Sequence, residues 1–382
     1  MPGMEFIPLL VGYLFALAAT ALFVYGLFRL VRRLAIQERL IEFAKALGLI
    51  REHGNPILVP RTHEWEAGGV MNPAAVEAGG RVHLFYRAVG GDGVSRIGYA
   101  SSADGARFDE RLPYPVFALA GVPPDAESFA RHSGLMASGG SFAGVEDPRA
   151  VIINDTMHLT FNAFAGWNSL RIGLTTIKVG DLLTKRWKWT PPVFLSSRGE
   201  VQKSWMLFPE KVEGRFAVLH SLHSGSREKV LVDYVDELRD NTGIKSPYYP
   251  SENQSVWDAR LRGAGPPPIK TKKGWLLLYH ANDAREPSRY KLGALLLDLL
   301  DPRKVIARAP VPVLSPDAPY ENGGKPGIVY ACGAVTRGDT LHVYYGGGDS
   351  VVCAAKTSLS SLLAKLLPLS SRYQTIREPV LA

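Results

Sequence analysis

Two cysteines in 382 residues, Cys332 and Cys353, are too few for a thiolate metal framework or a disulfide scaffold. Both lie in apolar, strand-like surroundings and read as buried free thiols, in keeping with a reducing compartment. No glycine-rich phosphate loop leads into a helix and no His-Glu-x-x-His occurs, so neither a nucleotide P-loop nor a zinc-protease centre is encoded and no metal is expected. No serine, histidine and aspartate stand out as a nucleophilic set. A basic stripe is also missing. The formal net charge is +8, but apart from Arg29, Arg32 and Arg33 the cations are scattered among acids, which argues against a nucleic-acid partner.

What the chain does have, first, is a long apolar run. Phe6 to Val31 is interrupted only by Pro8, small residues and Arg29, and its uncharged part, Phe6 to Phe28, exceeds the roughly 20 residues that span a bilayer core. It is too long for the apolar core of a cleaved signal peptide, and no lysine or arginine precedes it. A single-pass membrane helix is therefore expected. The arginines that follow place the C-terminal side in the cytoplasm by the positive-inside rule. Residues 35–54 are expected to form a linker, with an amphipathic helix carrying Leu40, Ile41, Ala44 and Leu47 and ending at Gly48. The expected division is 1–34 anchor, 35–54 linker helix, 55–365 catalytic domain and 366–382 tail.

After Pro56 the pattern becomes all-β, with short apolar runs punctuated by Gly, Asp, Asn and Pro. A tight turn followed by an aromatic-rich strand recurs at Gly80–Tyr86, Asp155–Phe161, Gly214–His220, Gly274–His280 and Asp339–Tyr345, spaced by about 60 to 75 residues. Second strands follow at 95–100, 170–177, 229–234, 291–298 and 351–356. Five such units predict a five-bladed β-propeller, which closes its sheet edges radially. A β-sandwich is the alternative, but it would disperse the polar groups flanking each repeat, whereas a propeller funnel would gather them.

Among those flanking groups, Glu146-Asp147-Pro148-Arg149 leads into the strand-like Val151-Ile152-Ile153. Adjacent carboxylates, a proline without a backbone donor and an arginine suit a fixed loop at a strand entrance, and taken alone they also suit an ordinary turn. The segments Asn72-Pro73-Ala74, Phe85-Tyr86-Arg87-Ala88, Gly144 to Arg149, Leu207 to Lys211, Gly263 to Ile269, and Tyr344-Tyr345-Gly346 with Asp349 resemble, in this order, glycoside hydrolase family 130, the β-mannoside phosphorylases and a smaller group of β-mannosidases. The resemblance runs from about Asn55 to Leu363.

It implies a five-bladed propeller that cleaves terminal β-mannosides with inorganic phosphate, as co-substrate rather than cofactor, giving α-mannose 1-phosphate with inversion. Asp147 would be the general acid. Phosphate is already anionic, so no general base is needed opposite it. The phosphate would be held by Lys203, Lys211 and His220, and the mannosyl unit by Asn72, Arg87, Lys270, His280 and Asp349. Glu146 would hold Arg149 or tune the acid, or form a loop ion pair. Trp167, Trp205, Trp257 and Tyr320 would stack on sugar faces or pack in the core. One departure stands out: His220 is followed by Ser221, where phosphorylases of the family carry arginine. That leaves open a β-mannosidase using water, and a membrane-tethered carbohydrate-binding propeller is the non-catalytic alternative. The expected partners are a β-mannoside oligosaccharide or glycoconjugate, phosphate and, through the anchor, the membrane. Because phosphorolysis is reversible, synthesis on a membrane-proximal acceptor is a further expectation.

Overall fold

The computed structural model describes residues 6–121, 138–166, 169–198, 200, 202–223, 229–246 and 257–377. The chain begins with one helix, α1 (Phe6–Leu47), of 42 residues and about 63 Å. No break falls at the expected boundary between anchor and linker, because no helix breaker lies between Val31 and Gly48. Side chains from Val11 to Leu30 are exposed, whereas Phe43 and Leu47 are buried in the body. By length and composition the apolar part of α1 suits a membrane span or a signal sequence.

A short strand, β1 (Ile50–Arg51), follows, and then five antiparallel meanders take up the chain in order, the first two joined into one eight-stranded sheet by a parallel pairing of Val94 and Ser95 with Ala143 and Gly144. The first comprises β2 (Gly69–Ala78), β3 (Arg81–Val89), β4 (Val94–Ser102) and β5 (Glu110–Arg111). The second is β6 (Ala143–Ile153), β7 (Thr156–Phe164), β8 (Arg171–Lys178), a helical turn α2 (Val179–Leu183) and β9 (Val193–Phe194). The third is β10 (Met206–Val212), β11 (Arg215–His223) and β12 (Lys229–Val235). The fourth is β13 (Arg260–Ala264), β14 (Ile269–Thr271), β15 (Gly274–Asn282), β16 (Lys291–Leu297) and β17 (Val305–Arg308). The fifth is β18 (Val329–Arg337), β19 (Thr340–Gly347) and β20 (Val351–Ser358), with β1 added to its outer edge through Ile50↔Lys356. The repeated turn-strand units of the sequence are thus the second strands, β3, β7, β11, β15 and β19.

Each second strand is apolar on both faces because both faces are covered. On β15, Trp275, Leu277 and Tyr279 face a cluster shared with the third meander, while Leu276 and Leu278 face one shared with the fifth. The core is divided in this way throughout. Separate hydrophobic clusters lie between the first and second, second and third, third and fourth, and fourth and fifth meanders, and another joins the fifth back to the first. Close packing within the meanders also repeats: a Cβ on Gly98, Gly173 or Gly293 would sit 2.2 to 2.3 Å from a ring carbon of Tyr86, Phe161 or Tyr279 on the strand beside it. A helix, α3 (Leu359–Arg377), closes the described chain. Leu362, Leu363, Leu366 and Leu369 bury against the fourth and fifth meanders together with Phe43 and Leu47 of α1, so residues expected to start a tail at 366 instead continue a docked helix.

Candidate active site

Bulges on the first strands of three meanders aim side chains at one cleft. On β2, Met71 pairs with Arg87 and Ala74 with Phe85, so Asn72 and Pro73 stand opposite the single residue Tyr86. On β6 the same offset occurs between Glu146 and Arg149, with Asp147 and Pro148 as the extra pair. The Glu-Asp-Pro-Arg motif is therefore not a loop before a strand but a bulge within one: proline needs no ladder partner there, and the bulge turns the preceding side chain off the sheet. Asn72 and Asp147 both adopt φ +48°, a left-handed conformation that costs a non-glycine residue about 1–3 kcal/mol and accumulates at functional sites. A third bulge on β13 leaves Arg262 without a partner between Leu261 and Gly263.

Asn72, Asp147 and Arg262 meet in a cleft of about 280 Å³ lined also by Arg87, Lys203, Ser204, Tyr290, Lys325, Tyr330 and Asp349. This is the scale of one sugar unit with a small anion rather than of an oligosaccharide. Asp147 Oδ1 accepts hydrogen bonds from Asn72 Nδ2 at 2.8 Å and Arg87 Nη1 at 3.1 Å. Asn162 Nδ2 reaches its other oxygen at 3.5 Å. Burial alone would raise the Asp147 carboxyl, but the charges of Arg87 and Lys203, the Asn72 hydrogen bond and the charge of Arg149 together hold it below the ordinary carboxylate range. Asp349 goes the other way: burial dominates, Lys325 and Arg87 oppose it, and its carboxyl is raised. Lys325 Nζ lies 3.6 Å from Asp349 Oδ2. One cleft thus holds two carboxyl groups pushed apart in acidity.

Of the roles expected for Glu146, the structure shows ion pairing, with partners other than Arg149. Fully buried, Glu146 takes Arg87 at 3.1 Å and Lys203 at 3.3 Å, together with the hydroxyls of Ser138 and Ser141, and does not touch Arg149. Arg149 instead donates to the carbonyls of Gly265, Ala264 and Asp147, pinning the bulge of β6 to the fourth meander. Asn72 is positioned by close approach: a Cβ on Gly346 would lie 2.1 Å from Asn72 Oδ1. That oxygen is buried and has no hydrogen-bond partner among the described residues.

His280 lies behind the cleft, its ring stacked 3.9 Å from that of Tyr330 at 12°. Its Nε2 accepts the Ala331 N–H at 2.9 Å, which fixes the proton of the neutral ring on Nδ1. Burial, with Arg149 adding to it, lowers His280 to about 3.

Of the residues expected from sequence, the structure brings Asn72, Arg87, Asp147, Lys203 and Asp349 to one cleft, with His280 adjoining. Lys211, His220 and Lys270 do not line it. Lys211 lies seven residues beyond Ser204, about 20 Å along an extended strand, with its Nζ 4.1 Å over the Phe216 ring. Lys270 pairs with Trp275 at the hairpin end of β15, opposite the cleft end, and binds Glu210 at 2.6 Å. His220 is buried beside Trp205 with its Nε2 3.4 Å from Asp233. Ser221 hydrogen bonds His223 at 2.7 Å. Trp205 packs in the core, Trp257 stacks on Tyr279 and the Tyr320 hydroxyl meets Asn55, while Trp167 falls outside the described residues. The aromatic rings of the cleft are Tyr290 and Tyr330. Arg262, Lys325 and both tyrosines went unrecognised in the sequence. The signal for Arg262 was its place immediately before Gly263-Ala264-Gly265.

A family model described as beta-1,4-mannooligosaccharide phosphorylase matches residues 60–366. Over 318 residues the chain is 36% identical to a 1,2-beta-oligomannan phosphorylase of Thermoanaerobacter sp. (strain X514), covering 80% of this chain and 96% of that one. It is 34% identical over 322 residues, with the same coverage, to a beta-1,2-mannobiose phosphorylase of the same strain. Among solved structures, the beta-1,2-mannobiose phosphorylase of Listeria innocua in complex with beta-1,2-mannobiose matches with a TM-score of 0.62 and 25% identity, over 83% of this chain and 99% of that one.

Proposed function

Because the chain belongs to glycoside hydrolase family 130, we propose that it catalyses the reversible phosphorolysis of terminal β-mannosides, with β-1,2-linked mannosides the favoured substrates. The observation that carries this reading is the cleft itself: a bulge-borne carboxyl, Asp147, faces Arg87, Lys203, Arg262 and Lys325, cations suited to an anionic nucleophile, while the second carboxyl, Asp349, lies 3.6 Å from Lys325. Asn72, Arg87 and Asp349 bind the mannosyl unit. Lys203, Arg262 and Lys325 hold phosphate, taking over the part expected of Lys211 and His220. The five meanders are the blades of a propeller, and the cyclic order of their hydrophobic clusters supports closure of the ring.

In phosphorolysis a phosphate oxygen forms the bond to the anomeric carbon as the glycosidic C–O bond breaks, and the departing oxygen takes the Asp147 proton. The bond forms opposite the one that breaks, so the product is α-mannose 1-phosphate. Asp147 is ionised in the empty cleft, yet it must deliver a proton. Phosphate resolves this: an anion placed among Lys203, Arg262 and Lys325 offsets the Lys203 charge that helps to depress the carboxyl and raises its affinity for a proton. In the synthetic direction the ionised carboxylate is already the base that the acceptor hydroxyl needs.

The N-terminal helix is a membrane anchor, and Arg29, Arg32 and Arg33 on its inner flank keep the catalytic domain cytoplasmic, where phosphate is plentiful. The stereochemistry is checked by proton NMR during the first minutes of reaction with β-1,2-mannobiose and phosphate. The α-anomer of mannose 1-phosphate is expected first, and initial appearance of the β-anomer would overturn the inverting mechanism.

A further inference from the structure

Beside the catalytic cleft lies a second and larger cavity. It measures about 390 Å³ and is lined by Leu119, Phe164, Arg171, Phe194 and Arg198 among others. Only one layer of side chains separates the two: Lys203 faces the cleft, its Nζ lies 5.8 Å from the centre of the Phe164 ring, and Phe164 faces the second cavity.

The walls are mostly apolar, but two guanidinium groups stand in them. Arg171 opens β8 and is half-buried. Its side chain is braced by the Ser196 carbonyl, which accepts from Nη2 at 3.1 Å and from Nε at 3.3 Å, and by the Phe194 ring 4.5 Å away. No ion pair joins Arg171 or Arg198 to a carboxylate among the described residues, and Asp240, whose charge favours protonated Arg171, spends one oxygen on the Phe194 N–H at 2.6 Å. Burial and then the charge of Arg198 make the protonated form of Arg171 less favourable than usual. Two like charges beside mostly apolar walls are an arrangement that an anion relieves, since it removes the repulsion and offers acceptors to the guanidinium N–H groups that the Ser196 and Phe194 carbonyls do not take. A neutral sugar would leave the repulsion in place.

We propose that this cavity is a subsite for an anionic ester, a phosphate carried by the acceptor next to the mannosyl unit. The enzyme would then transfer mannose from α-mannose 1-phosphate to phosphorylated acceptors in preference to neutral ones. The inference rests on the phosphorylase reading. In the step, the acceptor hydroxyl forms the bond to the anomeric carbon, its proton passes to the Asp147 carboxylate, and inorganic phosphate leaves with the electrons of the broken C–O bond. The anion in the second cavity takes no part in bond making and serves only to hold the acceptor. Two sources share this chemistry, a phosphorylated sugar and the headgroup of a phospholipid, and the membrane helix makes the second accessible.

The test measures phosphate release from α-mannose 1-phosphate by the full chain in detergent micelles, with mannose, mannose 6-phosphate or phosphatidylinositol as acceptor. The subsite predicts a kcat/KM at least tenfold higher for one anionic acceptor than for mannose, and which one responds identifies the source. Arg198→Ala, a change at an exposed side chain, should abolish most of that preference through KM while leaving transfer to mannose within twofold. Raising the salt from 50 to 500 mM should erode the preference in the same direction. Equal use of neutral and anionic acceptors by the unaltered enzyme would overturn the subsite while leaving the phosphorylase reading intact, as would an Arg198→Ala variant that loses both activities alike. No release with any acceptor would overturn the phosphorylase reading and the subsite with it.

Discussion

The bulges of β2 and β6 are the same backbone device with different cargo. Both place a residue at φ +48° directly before a proline, both set two residues against one on the neighbouring strand, and their side chains meet at 2.8 Å. The first carries the amide of Asn72 and the second the carboxyl of Asp147. Geometry is therefore shared, and what separates the substrate-holding group from the acid on the proposed reading is the exchange of one NH2 for one oxygen. The difference teaches that a fold of repeated meanders need not evolve a new loop to gain a functional group, because a repeated bulge already delivers side chains to one cleft.

Making the two bulges alike is the most severe test of that comparison. Asp147→Asn leaves an amide in both, keeps the hydrogen-bonding shape, and removes the proton donor. Phosphorolysis should fall by about 10³-fold or more, with the melting temperature little changed. A variant retaining a tenth of the activity would show that Asp147 is not the acid. The opposite change, Asn72→Asp, puts two carboxylates within hydrogen-bond distance, where they share a proton. The lowered pKa of Asp147 should then rise, moving the pH profile of kcat/KM upward by at least about one unit and lowering the rate about tenfold. An unmoved profile would break the electrostatic link between the bulges.

Cations inside and outside the cleft offer a smaller contrast. Lys203→Ala should raise the KM for phosphate about tenfold, whereas Lys211→Ala and Lys270→Ala should leave it within twofold. A test of stability rather than of activity concerns His280, neutral in the folded protein with its pKa lowered to about 3 by burial and Arg149. Unfolding lets the ring bind a proton below about pH 6.5, so as pH falls from there towards 3 the folded state loses about 1.4 kcal/mol per unit on this account. Above pH 6.5 the contribution is constant. His280→Gln, which can still accept the Ala331 N–H, should flatten that acid slope in denaturant titrations by up to this amount.

The repeat was readable in the sequence because each second strand is covered on both faces, which writes itself as long apolar runs such as Trp275 to Tyr279. Asp147 was readable for a different reason: Pro148 flags a backbone exception, and the motif order around it resembles a known family. The bulge itself was not readable, since it exists only in the register between β6 and β7. For the same reason Lys211 and Lys270 were expected at the site. Each is near a motif in sequence, but strand direction carries Lys211 outward along β10 and puts Lys270 at the far hairpin of β15. Arg262 is marked in the sequence only by its place before Gly263-Ala264-Gly265, and what aims an arginine at a strand edge is the bulge of β13, a feature of register. The continuity of α1 follows from what is missing between Val31 and Gly48, a glycine or proline to interrupt it.

The central claim is that phosphate, not water, attacks opposite Asp147, and product analysis from β-1,2-mannobiose with and without inorganic phosphate tests it most directly. Mannose 1-phosphate and mannose in equal amounts are expected when phosphate is present, with essentially no cleavage when it is withheld. Free mannose released at the same rate in both conditions, with no sugar phosphate formed, would contradict the account and identify a hydrolase.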